Sequence, residues 1–217
     1  MTERILPIQV IPEALARAVA ELQTWFVIGG HAVRCLCPYR PSRDVDFGVE
    51  SPRELEELLE QLRRKGEVEL LERSEDTVHL RFDGISVSIF VRDTLLPHVE
   101  DRRLTVTGIL ATKVHAILDR GTRRDFFDLY VTLRDQQLGV VEALAAVHRV
   151  YRTEVSDSLL LRALTYFDDA EREAPLPGEG KDDWPLVKDF FLERVGQLLV
   201  PPTRALEIEQ QRVDVIE

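Results

Sequence analysis

The fold of this chain follows from Trp25-Phe26-Val27-Ile28-Gly29-Gly30-His31-Ala32. The four apolar residues at its start predict a short buried strand. Gly29 and Gly30 let the backbone approach a ligand closely where the chain turns into a helix. Because the first N–H groups of that helix have no partner within it, they favour an anion. The sequence therefore predicts a strand, a glycine turn and a helix, with a phosphate site at the turn.

Two aspartates follow closely, in Arg40-Pro41-Ser42-Arg43-Asp44-Val45-Asp46-Phe47. Asp44 and Asp46 are two positions apart in an otherwise apolar run, so on a strand their side chains project from one face. Two like charges side by side are costly unless a cation lies between them. Oxygen ligands favour Mg²⁺, which binds through a few carboxylates together with substrate phosphates. A phosphate site beside a Mg²⁺ site predicts nucleotide chemistry.

Length and composition are those of an ordinary globular protein. The 217 residues suffice for one domain with a helical extension or for two small domains, and 44% of them are hydrophobic and 31% charged. No apolar run approaches the roughly 20 residues of a membrane span. The start, Met1-Thr2-Glu3-Arg4, lacks the pattern of a signal peptide. We therefore expect a cytoplasmic protein that has no membrane partner.

The net charge of −11 limits the partners that the chain can bind. Proteins that bind nucleic acid mainly through its phosphates usually carry a basic surface. Any contact with RNA therefore requires a local basic patch on this chain.

Helix and strand patterns alternate in the first half of the chain. A helix is predicted over residues 11–23, and another begins at the capping box Ser51-Pro52-Arg53-Glu54 and ends at Gly66. Residues 68–90 alternate in the manner of strands, with a tight turn at Asp83-Gly84. This order predicts a small mixed sheet with helices packed on it.

Strand patterns end at about residue 108. Helical periodicity then covers residues 109–119, 123–135, 140–151, 157–170 and 184–199, with a loop at 175–180 and a polar, extended tail past Pro201-Pro202. The predicted class is therefore α+β. A mixed-sheet core at residues 1–105 is followed by a C-terminal helical bundle at residues 106–217.

A metal site of this kind usually takes a third carboxylate from a neighbouring strand. The natural donor is the strand over residues 85–91, but its outward positions are Ser86 and Ser88. Asp83 is explained by the hairpin turn, and Asp93 lies just past the strand as a substitute donor. The sequence therefore offers two metal carboxylates and no clear third.

A second group of charged residues begins with Lys113 and Arg120, which are seven positions apart and so share one helix face. Two cations on one face can hold the β- and γ-phosphates or the leaving pyrophosphate; the alternative is a solvated helix face. Asp125 fits a capping box of the next helix. Further along, Arg124 and Asp128 form either a structural pair or a catalytic one.

The remaining candidates form no constellation. His31 either contacts phosphate or makes a hydrogen bond at the helix start, and the other histidines have no ligand spacing. The sequence contains no Gly-x-Ser-x-Gly, Walker-type or Gly-x-Gly-x-x-Gly motif, so hydrolase, P-loop and dinucleotide functions lack support. Cys35 and Cys37 have neither disulfide nor zinc-site spacing, and we expect both to be reduced thiols.

Four motifs nevertheless follow one another along the chain: Gly29-Gly30, Arg40-x-Ser42-x-Asp44-x-Asp46, Lys113-x-x-Ala116-x-x-x-Arg120 and Arg124-Asp125-x-x-Asp128-Leu129-Tyr130. As an ordered set they resemble the AbiEii/AbiGii-type nucleotidyltransferase toxin family of the DNA polymerase β-like superfamily. The segment Tyr166-Phe167-Asp168-Asp169-Ala170-Glu171 and Trp184 with Val187-Lys188 look like the C-terminal region of that family. The resemblance spans nearly the whole chain.

This resemblance implies a polymerase-β-like core with a helical C-terminal region, and it assigns roles to residues. Gly29 and Gly30 would face the triphosphate of an NTP, and Asp44 and Asp46 would hold Mg²⁺. Lys113 would contact phosphate, and Asp125 would supply the late acidic motif. The expected catalytic set is Asp44, Asp46, Lys113 and Asp125; the expected nucleotide-binding set is Gly29, Gly30, Arg40, Ser42, Lys113 and Arg120.

The function that the resemblance implies is Mg²⁺-dependent transfer of an NMP to an acceptor hydroxyl, with tRNA as the expected acceptor. Such proteins are toxins of toxin–antitoxin or phage-defence systems, so a cognate antitoxin is an expected partner. The departure from the pattern is Ser88, where a third acid often stands. That departure leaves open a catalytically weakened nucleotide-binding module, and the charge of −11 leaves open a small-molecule or protein acceptor.

Overall fold

The computed structural model describes residues 5–42, 44–152 and 155–199, and seven strands in this part of the chain form one sheet. The strands are β1 (Phe26–Val27), β2 (Val45–Val49), β3 (Val68–Arg73), β4 (Thr77–Phe82), β5 (Ile85–Val91), β6 (Val99–Glu100) and β7 (Arg103–Leu104). Their order across the sheet is β3-β4-β5-β2-β1-β7-β6. The pairs β2–β5 and β1–β7 are parallel and the others antiparallel, so the sheet is mixed, as predicted.

Ten α-helices and one 3₁₀ helix accompany the sheet in the described residues. The α-helices are α1 (Pro7–Val10), α2 (Glu13–Val19), α3 (Gly29–Leu36), α4 (Pro52–Lys65), α5 (Val106–Asp119), α6 (Arg123–Asp135), α7 (Val140–Tyr151), α8 (Asp157–Leu164), α9 (Asp168–Glu171) and α10 (Asp183–Leu199). The 3₁₀ helix covers Asp93–His98. The α+β class with a helical C-terminal half is therefore confirmed. The division into domains at residues 1–105 and 106–217 stays a prediction, and the predicted extended tail lies outside the described residues.

Several predicted helix ends are wrong, and side-chain hydrogen bonds explain two of them. The helix predicted over 11–23 ends at Val19, because the indole of Trp25 donates to the carbonyls of Val19 and Leu22 at 3.1 Å each. The helix predicted over 157–170 breaks after Leu164. There the hydroxyl of Thr165 donates back to the carbonyls of the last turn, which is a common way for Ser and Thr to end a helix.

The hairpin turn at Asp83-Gly84 is confirmed. Both residues have positive φ, 47° and 78°, as a two-residue hairpin turn between twisted strands requires. The Asp83 carboxylate accepts a hydrogen bond from the N–H of Glu67 at 2.8 Å. Asp83 therefore has a structural role at the hairpin.

Two clusters of buried apolar side chains hold the elements together. On one face of the sheet, α4 buries Leu55, Leu58, Leu59 and Leu62 against strand residues such as Phe47 and Phe82. The second cluster joins the C-terminal helices around Phe126, Trp184 and Phe191. Helix α3 contributes to both clusters. The glycine turn at its start is thereby fixed between the sheet and the C-terminal helices.

The second face of β2, β5 and β4 carries polar side chains. Alternation along each strand buries one set of residues against α2 and α4, so Asp46, Ser88 and His79 project to the opposite side. Both cysteines are free thiols, as predicted. Within residues 5–42, 44–152 and 155–199, none of the helices combines the length and the apolarity that a bilayer crossing requires.

Candidate active site

A cleft of about 290 Å³ opens on the polar face of the sheet, beside the start of α3. The structure brings all nine residues of the predicted site to its wall: Gly29, Gly30, Arg40, Ser42, Asp44, Asp46, Lys113, Arg120 and Asp125. They come from β2, from α3 and the loop after it, and from α5 and α6, so the cleft lies between the sheet and the C-terminal helices.

The glycine turn allows a carboxylate to lie against the backbone. Gly29 has φ +60°, and a Cβ atom there would stand 2.3 Å from Oδ2 of Asp46. A Cβ at Gly30 would stand 2.8 Å from Oγ of Ser42. The N–H of Ile28 also donates to the carbonyl of Asp46 at 3.0 Å. Glycine is therefore needed at position 29 both for its backbone conformation and for the room that Asp46 takes.

The two aspartates differ in their surroundings. Asp46 is half-buried, and its carboxylate has no hydrogen bond or ion pair with any described residue. Burial raises the pKa of Asp46 to about 6; the charge of Lys113 opposes this rise and the charge of Asp44 adds to it. Asp44 is exposed, and its Oδ2 lies 3.6 Å from Nη1 of Arg124. An unpaired carboxylate next to a second carboxylate is a costly arrangement without a cation.

The donor chemistry fits a divalent cation that completes its shell with substrate oxygens. Asp44 and Asp46 present hard oxygen ligands to one cleft. Among the residues that the structure describes, no three His, Cys, Asp or Glu side chains are grouped closely enough to hold an ion by themselves. Mg²⁺ commonly binds in this way, through one or two carboxylates plus phosphate oxygens.

The strand register shows what stands in place of a third carboxylate. Ser88 of β5 pairs with Asp46 of β2, and His79 of β4 pairs with Ser88. Nδ1 of His79 lies 2.9 Å from Oγ of Ser88, and both residues line the cleft. His79 was not among the predicted site residues. The alternation of β4 and the tight turn at 83–84, taken together, would have aligned it with Ser88.

A chain of buried charges supports the other wall of the cleft. Nζ of Lys113 lies 3.2 Å from Asp125 and 2.7 Å from Asp128. The Asp128 carboxylate also accepts from Nη2 of Arg40 at 2.9 Å and from the hydroxyl of Tyr39. Lys113 is only 5% exposed, so the alternative of a solvated helix face is wrong for this residue.

Asp125 belongs to the same cluster. Its carboxylate accepts hydrogen bonds from Lys113, from Nε of Arg120 at 2.9 Å and from the hydroxyl of Thr122. Burial acts to raise the pKa of Asp125, but Lys113, Arg120 and Thr122 outweigh it and lower the pKa to about 2. Asp125 thus stays ionised and holds both cations in place.

The capping role proposed for Asp125 is also present. Its N–H donates to the hydroxyl of Thr122 at the start of α6. The sequence suggested an ion pair between Arg124 and Asp128, but the described residues do not form it. Arg124 lies beside Asp44, and Asp128 pairs with Arg40 and Lys113. The pairing differs because Arg124 is exposed at the cleft mouth, whereas Asp128 is buried.

A second cavity of about 530 Å³ adjoins the cleft and shares with it the residues Gly29, Asp46, Phe90, Lys113 and Arg120. Its far wall carries two aromatic side chains, His115 and Tyr151. The rings of His115 and Tyr151 have centroids 4.9 Å apart, and the guanidinium of Arg92 lies 4.9 Å from the ring centroid of Phe90. A flat ligand in this cavity would lie next to Asp46, which lines both cavities.

A glycine turn, paired aspartates and a cluster of cations line one cleft of a mixed sheet, and together with the family match they place the chain in the class of nucleotidyltransferases. The chain belongs to the AbiEii family, because its residues 13–197 match the family model described as "Nucleotidyl transferase AbiEii toxin, Type IV TA system". It is also 30% identical over 198 residues to the uncharacterized protein aq_aa25 of Aquifex aeolicus (strain VF5), which covers 86% of this chain and 95% of that protein.

Two solved structures share the fold. JHP933 from Helicobacter pylori has a TM-score of 0.51 and 16% identity, with 94% of each chain covered. The antibiotic-resistance factor ANT(2'')-Ia has a TM-score of 0.51 and 12% identity, covering 67% of this chain and 90% of that chain. At these identities, the likeness concerns the fold alone.

Proposed function

We propose that this nucleotidyltransferase moves an NMP from an NTP to a hydroxyl of tRNA, and that it depends on Mg²⁺. The observation that carries the proposal is the carboxylate of Asp46, which has no ion-pair partner among the residues that the structure describes, lies against Gly29 and faces the same cleft as Asp44 and Lys113. Transfer forms a bond from the acceptor oxygen to the α-phosphorus. It breaks the bond between that phosphorus and the oxygen that leaves with pyrophosphate.

The triphosphate lies, in this proposal, between the start of α3 and the cation cluster, which consists of Arg40, Lys113 and Arg120. The N–H groups at Gly29 and Gly30 and the hydroxyl of Ser42 bind phosphate oxygens. Arg40, Lys113 and Arg120 supply positive charge for the β- and γ-phosphates and for the leaving pyrophosphate. Asp125 is a positioning residue, because it acts through the two cations that it binds.

Asp44 and Asp46 are the residues that would hold Mg²⁺. When bound, the ion neutralises charge on the phosphate oxygens and lowers the barrier to attack at phosphorus. The two side chains meet this need because both line the cleft, Asp46 from β2 and Asp44 from the residue just before that strand, with Asp46 oriented by the glycine turn.

The direct test is a labelling assay with purified protein, each labelled NTP, Mg²⁺ and total bacterial RNA. We expect label in the tRNA fraction, release of pyrophosphate, and loss of both when EDTA removes the metal. The function is refuted if no nucleotide gives label with RNA, protein or small-molecule acceptors. Label on protein or on a small molecule instead of tRNA would keep the transferase and replace the acceptor.

The nucleoside of the NTP extends, in this proposal, into the second cavity. Replacing Tyr151 by alanine should weaken NTP binding by about 5–150-fold, because stacking of a base on an aromatic ring contributes about 1–3 kcal/mol. Binding of inorganic tripolyphosphate should be unchanged, since it lacks the base. Isothermal titration calorimetry with both ligands measures the difference.

Tyr166→Ala is the matched control, because Tyr166 is 48% exposed and lines neither cavity. An equal loss of NTP and tripolyphosphate binding in Tyr151→Ala would show a general defect. Unchanged NTP binding would exclude the second cavity as the nucleoside site.

The biological role that we propose is that of a toxin with a cognate antitoxin protein, acting in the cytoplasm. Membership of a family described as toxins of Type IV systems supports this role. Expression of the chain in a bacterial host should arrest growth, and co-expression of the protein encoded beside its gene should restore it.

One observation favours a second function, a nucleotide-binding module without catalysis. Ser88 occupies the register position beside Asp46 where a third carboxylate would stand. Calorimetry separates the two functions: Mg²⁺-dependent NTP binding without any pyrophosphate release would favour the module.

A further inference from the structure

One row of side chains crosses three adjacent strands on the polar face of the sheet. Asp46 of β2 pairs with Ser88 of β5, and Ser88 pairs with His79 of β4. Side chains at paired positions lie on the same face and close together. The imidazole is therefore separated from the paired aspartates by one serine.

The His79 ring is fixed from two sides. Nδ1 lies 2.9 Å from the Ser88 hydroxyl, and the ring meets Phe90 nearly edge-on, with centroids 5.7 Å apart and an interplanar angle of 80°. Nε2 has no hydrogen-bond partner in the described part of the chain, and the residue is half-buried in the cleft wall. An oriented imidazole with one unoccupied nitrogen is suited to accept a proton.

We propose that His79 is the general base that activates the acceptor hydroxyl and that Ser88 is its positioning residue; this rests on the proposed function. Nδ1–H donates to Oγ of Ser88, which leaves the lone pair of Nε2 directed to the substrate. As the acceptor oxygen bonds to the α-phosphorus, its proton passes to Nε2 and pyrophosphate leaves with the electron pair of the broken P–O bond. The His79–Ser88 pair thus supplies a proton acceptor at the position where a third carboxylate would stand.

The cleft is lined by two groups of residues from different elements. His79, Ser86 and Ser88 line it from the sheet, whereas Gly30, Arg40 and Asp128 line it from α3, the loop after α3 and α6. In this proposal the acceptor enters over the sheet, and pyrophosphate lies beside α3 and α6. Other charges around His79 come from Glu72 on β3 and Asp46 on the β2 side, and from Arg81 on the same face of β4.

The test compares His79→Gln and His79→Ala with the wild type, using labelled NTP and the acceptor that the labelling assay identifies. Both variants should lower kcat by about 10²–10⁴-fold, the usual contribution of a general base, with KM for NTP within about twofold of the wild-type value. Added imidazole should raise the rate of His79→Ala in proportion to its concentration, which a merely structural role would not produce. Glutamine keeps a polar group next to Ser88, so His79→Gln guards against misfolding.

The positioning role of Ser88 has its own readout. Ser88→Ala should lower kcat in the wild type but cause no further loss in His79→Ala, because residues that act as a unit are not additive. His148→Ala is the control, since His148 is on α7, pairs with Asp157 and lines neither cavity.

Each outcome decides a separate question. The assignment of the base is overturned if the kcat of His79→Gln lies within about threefold of the wild-type value. It is also overturned if added imidazole does not relieve the defect of His79→Ala. A wild-type protein that labels no acceptor contradicts the proposed function itself. The two failures are therefore distinguishable.

Discussion

Replacing Asp46 by asparagine should abolish nucleotide transfer, with a fall in rate of at least ~10³-fold. Asparagine has nearly the same shape, so it still fits against Gly29, where a Cβ would stand only 2.3 Å from Oδ2 of Asp46. It removes the negative charge that would hold a divalent cation. Stabilisation of phosphoryl charge by such an ion amounts to several kcal/mol, and about 4 kcal/mol corresponds to 10³-fold in rate. The measurement is label transfer from NTP at saturating substrate.

Asp189→Asn is the matched control, because it makes the same chemical change on the exposed face of α10, outside both cavities. It should keep full activity. In a bacterial host, the wild type and Asp189→Asn should arrest growth and Asp46→Asn should not. A rate for purified Asp46→Asn within tenfold of the wild type would remove the basis of the proposed metal site.

The parts of the site that could be predicted from sequence depend on local patterns along the chain. The glycine turn and the paired aspartates are contained in residues 29–46, and their arrangement depends on one strand, one turn and one short helix. Lys113 and Arg120 follow from helical periodicity, which is also a local property. These residues line one cleft in the structure.

The parts that could not be predicted depend on pairings between distant segments. Tyr39 and Asp128 are 89 positions apart, and their hydrogen bond exists only because α3 packs against α6. Likewise, the hairpin at 83–84 aligns His79 with Ser88, but both reach Asp46 only because β5 pairs with β2. That register joins segments about 40 residues apart and is not contained in the spacing of residues within one segment.

The same distinction explains the errors in the fold. The two-residue strands β6 and β7 were not predicted, because two residues carry no periodicity. The early end of α2 depends on the Trp25 indole, which reaches back to the carbonyls of Val19 and Leu22. Helical periodicity continues beyond Val19, so the pattern alone predicts a longer helix.

The largest effect on stability is expected from Asp128→Ala. Asp128 is 1% exposed and is the partner of Lys113, Arg40 and Tyr39. Burial acts to lower the pKa of Lys113, but Asp128 and Asp125 outweigh it and raise the pKa, so the lysine stays charged. The variant leaves Lys113 paired with Asp125 but removes the carboxylate that pairs with the buried Arg40 guanidinium. Removing one partner of a buried ion pair costs about 3–5 kcal/mol. Urea unfolding followed by circular dichroism gives the free energy of unfolding.

The unfolding experiment should be done at pH 7, where Asp125 and Lys113 are ionised. Since the pKa of Asp125 is lowered from 3.8 to about 2, its contribution to folding is complete above about pH 4 and is lost only as the pH falls toward 2. Asp169→Ala is the control, because Asp169 forms an exposed pair with Arg172, and such pairs contribute about 0–1 kcal/mol. If Asp128→Ala lost no more stability than Asp169→Ala, Asp128 would not be holding Lys113 and Arg40 in place. The cation cluster at the cleft would then need another support.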